Sequence, residues 1–259
     1  MELNTGVKLE IRNFSKRYGK NKDFAVKDAS LTVFGGEIFG FLGPNGAGKS
    51  TTIKSVVGIQ TITEGSILIC GYDVEKQPVE AKRLIGYVPD HYALYEKLTA
   101  REYVNYIADI YGVSREERLE RIPYYVNLFH LQDSFDSQIK TFSHGMKQKV
   151  TIIAALIHEP KLWLLDEPLT GLDPDSIYQV KECMRLHAAK GNIVMFSSHI
   201  IDVVENLCQR VAVIKKGYLM QPLTIDEIHK DGTLEEYYLK MAVIESPTLS
   251  PAAEKPSQG

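Results

Sequence analysis

The chain has 259 residues, of which 44% are hydrophobic and 24% charged, the balance of a globular protein with a substantial core. Its net charge of −3 lacks the basic excess of a broad nucleic-acid surface, so we expect no nucleic-acid partner. The sequence contains no run of about 18 apolar residues, the length needed to cross a bilayer. Residues 1–8 hold no apolar segment that would direct secretion. The three cysteines form no C-x-x-C pattern, which favours a reducing compartment.

The chain up to residue 89 is dominated by strand patterns. Alternating or continuous apolar residues between glycine-rich turns are typical of half-buried and buried strands, respectively. Strands are predicted at residues 8–18, 25–34, 37–42, 65–69, 71–74 and 84–89, with short helices at 51–57 and 78–83.

From residue 95 to about 157 the pattern is mainly helical. Thr99 with Glu102, and Ser114 with Glu117, have the spacing of capping boxes that begin two helices. Pro123 is a possible kink or break in the second helix, and a third helix is predicted at about 145–158. These helices form a predicted subdomain inserted in an α/β chain.

The α/β alternation returns at residue 161. Strands are predicted at 161–165 and 192–197, helices at 174–189 and 200–208, a closing hairpin at 211–214 and 218–221, and weak helices at 224–230 and 233–241. Residues 246–259 are rich in Pro, Ser, Ala and Gly and are predicted to be disordered. We therefore expect one domain over residues 1–245 and a disordered tail.

A phosphate-binding loop follows the third predicted strand. It reads Gly43, Pro44, Asn45, Gly46, Ala47, Gly48, Lys49 and Ser50, followed by Thr51, and fits G-x-x-x-x-G-K-[ST] at every fixed position. Glycines let backbone N–H groups surround a polyphosphate, and the next helix adds its positive N-terminal end. Lys49 would reach the β and γ phosphates and the Ser50 hydroxyl would ligate Mg²⁺. A glycine turn that binds nothing is the disfavoured alternative.

Further polar residues follow this loop in a fixed order. Asp166 and Glu167 end an apolar strand, where Asp166 can hold Mg²⁺ through water and Glu167 can polarise an attacking water. His199 follows the next predicted strand. Between loop and carboxylates, residues 142–146 read Phe-Ser-His-Gly-Met and precede a helix. Residues 171–174 read Gly-Leu-Asp-Pro.

Over residues 8–222 this ordered set resembles the ATP-binding subunit of ATP-binding cassette (ABC) transporters. By this resemblance the loop 43–50 is similar to Walker A, and 162–167 to Walker B with Glu167 as the catalytic carboxylate. Residues 142–146 resemble the family signature, commonly LSGGQ, and 171–173 the D-loop, which contains Asp173. His199 is similar to the switch histidine, and Tyr18 to the adenine-stacking aromatic. We refer to residues 142–146 as the signature.

The resemblance implies a fold, a mechanism and partners. The fold would be a P-loop NTPase with a RecA-like core, an antiparallel β edge subdomain and a helical signature subdomain. Two ATPase subunits, identical or different, would meet head to tail, with Ser143, Gly145 and Met146 contacting the ATP of the partner. ATP and Mg²⁺ would be bound, and hydrolysis would drive integral membrane permease subunits from the cytoplasmic face of the cell membrane, where the chain would be peripheral.

The sequence departs from the family pattern at two places. Asp90 stands where the family usually has Gln; it could still be a direct or water-bridged metal ligand, while its role in signalling to a partner is in doubt. In the signature, His144 replaces the first Gly and Met146 the Gln. The motif Ser-x-Gly-Met-Lys-Gln resembles that of bacterial exporter and immunity-type cassettes, so we expect the chain to serve in export.

Other interpretations were weighed against these. A non-transport ABC ATPase acting on DNA would need a long coiled coil between Walker A and the signature, and a ribosomal one a second cassette; the chain has neither. A GTPase would need N-K-x-D after the loop, which is absent. Tyr18 could simply end an edge strand, and His199 could be a helix cap.

The roles of several aromatic and basic residues stay open. Tyr87, Tyr92, Tyr95 and Tyr103 form either an interface where the family docks its membrane partner or a satellite core. Trp163 is expected in the core. Lys147 and Lys149 are expected on a solvated helix face.

Overall fold

The structure is a computed structural model and describes residues 4–19, 23–91 and 93–243. Its strands are β1 (Asn4–Lys16), β2 (Val26–Gly35), β3 (Ile38–Leu42), β4 (Glu64–Ile69), β5 (Tyr72–Asp73), β6 (Ile85–Val88), β7 (Leu162–Asp166), β8 (Ile193–Ser198), β9 (Arg210–Lys215), β10 (Tyr218–Leu219) and β11 (Leu223–Thr224). Its helices are α1 (Lys49–Val56), α2 (Pro78–Arg83), α3 (Ala100–Ile110), α4 (Arg115–Leu128), α5 (His144–Leu156), α6 (Pro174–Ala189), α7 (Ile201–Leu207), α8 (Ile225–His229) and α9 (Leu234–Val243).

The larger sheet is parallel at its centre, in the order β10-β9-β3-β8-β7-β6 with β11 beside β9. Strands β3, β7 and β8 are buried at every position, as their continuous apolar runs require in a sheet covered on both faces. Because parallel strands end at the same edge, the phosphate loop after β3, the carboxylates at the end of β7 and the histidine after β8 meet there. This is the edge where open α/β sheets bind ligands.

The two faces of this sheet pack against different layers. Phe39, Phe41 and Leu164 pack with the antiparallel sheet β2-β1-β4-β5. Their neighbours on the opposite face, such as Trp163 and Leu165, belong to the helical core, because successive strand side chains point to opposite faces. Trp163 is fully buried, as predicted.

The helical subdomain consists of α3, α4 and α5. Both predicted capping boxes are present: the Thr99 and Ser114 side chains accept from the backbone N–H of Glu102 and Glu117, whose carboxylates accept in return. Of the predicted kink or break at Pro123, the break is wrong, because helix α4 continues through this residue. Packing of Ile122, Tyr125 and Val126 in the core offsets the cost of a proline in a helix, about 3 kcal/mol.

The predicted α/β fold, with an antiparallel sheet and a helical subdomain, is confirmed. The predicted hairpin of residues 211–214 and 218–221 is present, because β9 pairs antiparallel with β10. The sequence analysis did not predict that β9 is also a buried parallel partner of β3. The domain limits at 1–245 stay a prediction, and residues 246–259 lie outside the described residues. Among the residues that are described, none of the helices has the length and apolar character needed to cross a membrane.

Candidate nucleotide-binding site

The phosphate loop forms most of the wall of a cavity of about 170 Å³. Six loop residues line it together with Thr51, and Ala25, Asp90 and Glu167 complete the wall; the loop members are Pro44, Asn45, Gly46, Gly48, Lys49 and Ser50. Gly43 and Ala47 belong to the same loop but do not line the cavity, and Ala47 is buried. The predicted ATP-binding loop and two predicted polar residues thus share one cavity.

Two glycines of the loop are required by geometry. A side chain at Gly43 would collide with the backbone carbonyl oxygen of Ile214 in β9. Gly48 has φ 116, and a Cβ there would lie 2.9 Å from the Ala25 carbonyl oxygen. Both positions therefore accept only glycine without rearrangement.

The start of helix α1 is suited to an anion. Its N-cap is Gly48, no side chain caps its first backbone N–H groups, and its first turn carries no acidic residue. The first four N–H groups of a helix need an external partner, and the helix dipole makes a phosphate a favourable one.

Lys49 is held across the mouth of the loop. Its ammonium donates to the carbonyl oxygens of Gly43 at 2.6 Å and Pro44 at 3.3 Å, and lies 3.4 Å from Oε1 of Glu167. The side chain is buried, so its charge acts with little screening by water. A phosphate group in this cavity would meet a fixed cation.

A buried serine aligns the two carboxylates at the end of β7. The Ser197 hydroxyl donates to Oδ1 of Asp166 at 2.6 Å and accepts from the backbone N–H of Glu167 at 3.0 Å. Asp166 and Ser197 are both buried. Sequence reasoning missed Ser197, because only the parallel register of β7 and β8 places it directly opposite Asp166.

Glu167 has a strained backbone and a second partner. Its φ is 50, a left-handed conformation that costs a non-glycine residue about 1–3 kcal/mol and is concentrated at functional sites. Its Oε2 lies 2.9 Å from Nδ1 of His199. The two predicted catalytic residues, Glu167 and His199, therefore touch.

The residues present fit a magnesium ion that is bound mainly by phosphates. Among the described residues no group of three His, Cys, Asp or Glu side chains could hold a metal alone. Mg²⁺ usually keeps several waters and uses one or two carboxylates with phosphate oxygens. Ser50 lines the cavity, and Asp166 is an oriented carboxylate at the end of the adjacent strand. Asp90 also lines the cavity but is half exposed and lies 3.6 Å from Nε2 of His91.

Tyr18 lies beside helix α1. Its hydroxyl contacts Thr51 Oγ1 at 3.2 Å and donates to Oε1 of Gln60 at 2.5 Å. The Lys16 ammonium lies 5.3 Å from its ring centroid, and the side chain is partly exposed. Tyr18 is thus next to the phosphate loop, with part of its ring open to solvent.

The signature begins helix α5 away from this cavity. Ser143 is the N-cap of α5, and its hydroxyl oxygen accepts from the backbone N–H of Met146 at 3.2 Å. Ser143 and His144 are exposed, and Gly145 is partly exposed. In the part of the chain that the structure describes, none of these residues lines the phosphate-loop cavity of its own chain.

Asp173 connects the D-loop to the signature helix. It is the N-cap of α6 and accepts from the Ser176 backbone N–H and hydroxyl, at 2.9 and 2.6 Å. The hydrogen bond from the Ser176 side chain lowers the pKa of this carboxyl. A Cβ placed on Gly145 would lie 3.5 Å from Asp173 Oδ2, so the two segments are in contact distance within one chain.

The two basic residues of α5 have different surroundings. The Lys147 ammonium lies 2.5 Å from Oε1 of Glu96 in an ion pair that is accessible to solvent, which is compatible with the predicted solvated face but adds a specific partner. Lys149 is half-buried, and desolvation lowers its pKa, although Asp173 and Asp175 oppose that shift. Because Glu96 and Lys147 are 51 positions apart in the sequence, no local pattern predicts that they pair.

The tyrosines near Asp90 are divided between two environments. Tyr87 packs against the core of the antiparallel sheet, whereas Tyr95 contacts Tyr103 and Tyr106 at ring distances of 6.3 and 5.7 Å. Tyr92 lies outside the described residues. A groove of about 790 Å³, here called the tyrosine groove, is lined by Leu94, Tyr95, Glu96, Lys97, Leu98, Tyr106 and Lys140. Sequence reasoning missed Tyr106, although it lies on α3 one residue before Ile107.

Comparisons with known proteins agree with this site. The family model described as ABC transporter matches residues 26–170. The linearmycin resistance ATP-binding protein LnrL of Bacillus subtilis is 39% identical over 212 residues, which are 82% of this chain and 68% of that protein. The Nod factor export ATP-binding protein I of Sinorhizobium fredii is 36% identical over 82% of this chain and 61% of its own length.

A solved structure of the ATP-binding subunit of an ABC transporter superposes with a TM-score of 0.85 at 35% identity, covering 90% of this chain and 99% of that chain. The family model covers more than half of the chain, including the phosphate loop and both carboxylates. The chain therefore belongs to the ABC transporter family, as an ATP-binding ATPase subunit.

Proposed function

We propose that the chain is the motor of an exporter and hydrolyses Mg-ATP at a head-to-tail dimer interface. The observation that carries the proposal is the position of the signature. Ser143 is the exposed N-cap of a 13-residue helix whose later turns are buried, and it lies outside the cavity that holds Lys49. The start of a helix with an exposed cap serine can bind a phosphate group. ATP bound to a second copy of this chain, or to a related cassette, would supply that phosphate.

Within that interface we assign the catalytic roles as follows. Glu167 polarises the attacking water, since its carboxylate is at the cavity wall and is oriented by His199 and by the backbone bond to Ser197. Lys49 and the N–H groups of α1 bind the β and γ phosphates, Tyr18 stacks on the adenine, and Asp173 supports the partner's site.

The metal assignment follows from the fit of the side chains. Ser50 and Asp166 would hold Mg²⁺, with Asp90 as a further water-bridged ligand. When bound, the ion would neutralise charge on the phosphates. Asp166 can act as a metal ligand only if its carboxylate is held in a fixed orientation. The hydrogen bond from the Ser197 hydroxyl holds it there.

The tyrosine groove is the proposed docking site for an integral membrane permease subunit. It presents two exposed aromatic rings, Tyr95 and Tyr106, of a residue type that is enriched at protein interfaces. Two lysines and one carboxylate beside them would form a polar rim. Export is supported by the Nod factor export relative. The chain would then be peripheral, on the cytoplasmic face of the cell membrane.

A pull-down from the native cells in mild detergent, followed by mass spectrometry, tests the proposal. The tagged chain should recover a stoichiometric polytopic membrane protein. Tyr95→Ser/Tyr106→Ser should lose it, whereas Tyr178→Ser, which changes an equally exposed tyrosine on α6, should not. Recovery of only ribosomal or DNA-associated proteins would contradict the transporter role and favour a non-transport ABC ATPase.

A further inference from the structure

Glu96 borders two cavities, as does Leu94. It lines the tyrosine groove together with Tyr95 and Tyr106. It also lines a second, polar cavity of about 280 Å³, whose wall includes Asp90, His144 and Lys147. Glu96 therefore lies between the proposed docking groove and the start of the signature helix.

Glu96 contacts one residue before and one residue after Ser143 in the sequence. Its backbone carbonyl accepts from the N–H of Lys140 at 3.0 Å, three residues before Ser143. Its carboxylate binds the Lys147 ammonium at 2.5 Å, four residues after Ser143. Lys147 lies one helical turn from Ser143 and donates its own N–H to the Ser143 carbonyl oxygen, so both residues are on one face of α5.

The backbone around Glu96 is fixed by further bonds. Leu98 accepts from the N–H of Ile139 at 2.9 Å, and the N–H of Ala100 donates to Ser137 at 3.3 Å. Segment 96–100 is thus tied to the segment that leads into the signature. A displacement of Glu96 by an occupant of the groove would be passed to residues 137–147 as a unit.

The ion pair between Glu96 and Lys147 can break and form reversibly. The Glu96 side chain is 54% exposed and that of Lys147 23%, and ion pairs this accessible contribute little to the stability of a fold. Such a pair can align a helix start, and can break and reform without unfolding the subdomain. This is the energetic range that population shifts between two states use.

We infer that Glu96 is a positioning residue that aligns the signature through Lys147 and transmits the state of the tyrosine groove to it. The inference rests on the proposed function, because it concerns the signature as an ATP-contacting surface. Linkage makes the effect reciprocal: closing of the signature on ATP must also change the groove. The effect of ATP on the conformation of the tyrosine groove can therefore be measured in the absence of the membrane partner.

The first experiment measures ATP-driven dimerisation of the full-length Glu167→Gln chain by light scattering. Glu96→Lys and Lys147→Glu should each raise the ATP concentration for half-dimerisation by roughly fivefold, since each dimer contains two such pairs. The exchanged double variant Glu96→Lys/Lys147→Glu should return to within twofold of the parent. Asp136→Lys, which breaks the exposed pair with Arg101 in the same subdomain, is the matched control and should have no effect.

ADP binding by calorimetry shows whether each variant retains a folded nucleotide site, because it needs no second chain. Every variant should bind ADP within twofold of the parent. Unchanged dimerisation in the single variants, or a double variant weaker than either, would overturn the inference. A parent chain that stays monomeric in ATP would overturn the proposed dimer mechanism and this inference with it.

A second readout tests transmission to the groove. A Tyr95→Trp reporter in the Glu167→Gln background should change its fluorescence when ATP drives dimerisation, in the parent and in the exchanged double variant. At equal dimerisation the single variants should show less than half of that change. Equal changes in all four chains, or none in any, would show that Glu96 does not link the groove to the signature.

Discussion

The ammonium of Lys49 lies 3.4 Å from Oε1 of Glu167, so the phosphate-binding cation and the carboxylate at the end of β7 are neighbours. The other oxygen of Glu167 contacts His199 at 2.9 Å. Each carboxylate oxygen of Glu167 thus has one side-chain partner. A γ-phosphate that draws Lys49 toward itself would leave His199 as the remaining side-chain partner of this carboxylate, which could then accept a proton from water.

Lys49→Ala should abolish ATP hydrolysis and weaken ATP binding by roughly 10–100-fold, the effect of losing a charged hydrogen bond to a phosphate. Lys54→Ala, at the other end of the same helix, is the matched control and should hydrolyse ATP normally. Phosphate release and calorimetric titration measure the two quantities. Normal turnover by Lys49→Ala would contradict the assignment of the loop.

Ser197→Ala should lower kcat by about tenfold with little change in KM, because the hydrogen bonds of Ser197 hold Asp166 and the backbone of Glu167 in place. The substitution removes a donor to Asp166 and an acceptor for the Glu167 N–H at once. Ser198→Ala loses a bond to the Ile200 backbone instead and should keep kcat within about twofold. Equal kcat in the two variants would show that Ser197 does not position the carboxylates.

Asp90→Gln tests the departure from the family pattern. If Asp90 supports the metal through water, the Mg²⁺ concentration for half-maximal hydrolysis should rise by roughly two- to fivefold, as expected for one half-exposed charge. His91→Gln, which changes the neighbour at 3.6 Å, should leave the magnesium dependence as it is. Identical magnesium titrations of Asp90→Gln and the parent would remove Asp90 from the proposed metal site.

Two buried histidines should make the fold sensitive to acid. Burial lowers the pKa of His158 to about 4 and that of His187 to about 3, against about 6.5 in an unfolded chain. The unfolded chain binds these protons first, so stability is complete above pH 6.5 and is lost as the pH falls toward 4. At pH 5 the loss is about 2 kcal/mol per histidine.

Urea unfolding at pH 7 and pH 5 measures this loss. His187→Leu should lose less stability between the two pH values than the parent, by about 2 kcal/mol. His91→Gln changes a nearly fully exposed histidine and should follow the parent. A parallel decline in His187→Leu and the parent would contradict this account of His187.

The sequence predicted most closely those elements whose ends carry local signals. Helix α6 runs from Pro174 to Ala189, as expected from a proline in the first turn and the glycine Gly191, which has φ 79. The hairpin of β9 and β10 was predicted from its turn, but the second pairing of β9 was not. Four successive buried residues, Val211 to Ile214, are compatible with a central strand, yet only the contact with β3, far away in sequence, shows that β9 is one.

The site was predictable where a motif fixes the chemistry. The phosphate loop, Asp166, Glu167 and His199 were found from their order, and the parallel register explains why they meet. Ser197, the left-handed backbone of Glu167 and the Glu96–Lys147 pair were not found. Each depends on contacts between distant segments, and none leaves a periodic or local pattern in the sequence.

The central claim, an ATP site completed by the signature of a second chain, is tested most directly by light scattering of the Glu167→Gln chain. This substitution removes water activation while Lys49 and the loop still bind ATP. The account predicts a monomer with ADP and a dimer with saturating ATP and Mg²⁺, which Ser143→Arg should prevent. A chain that remains monomeric at saturating ATP would contradict the head-to-tail mechanism.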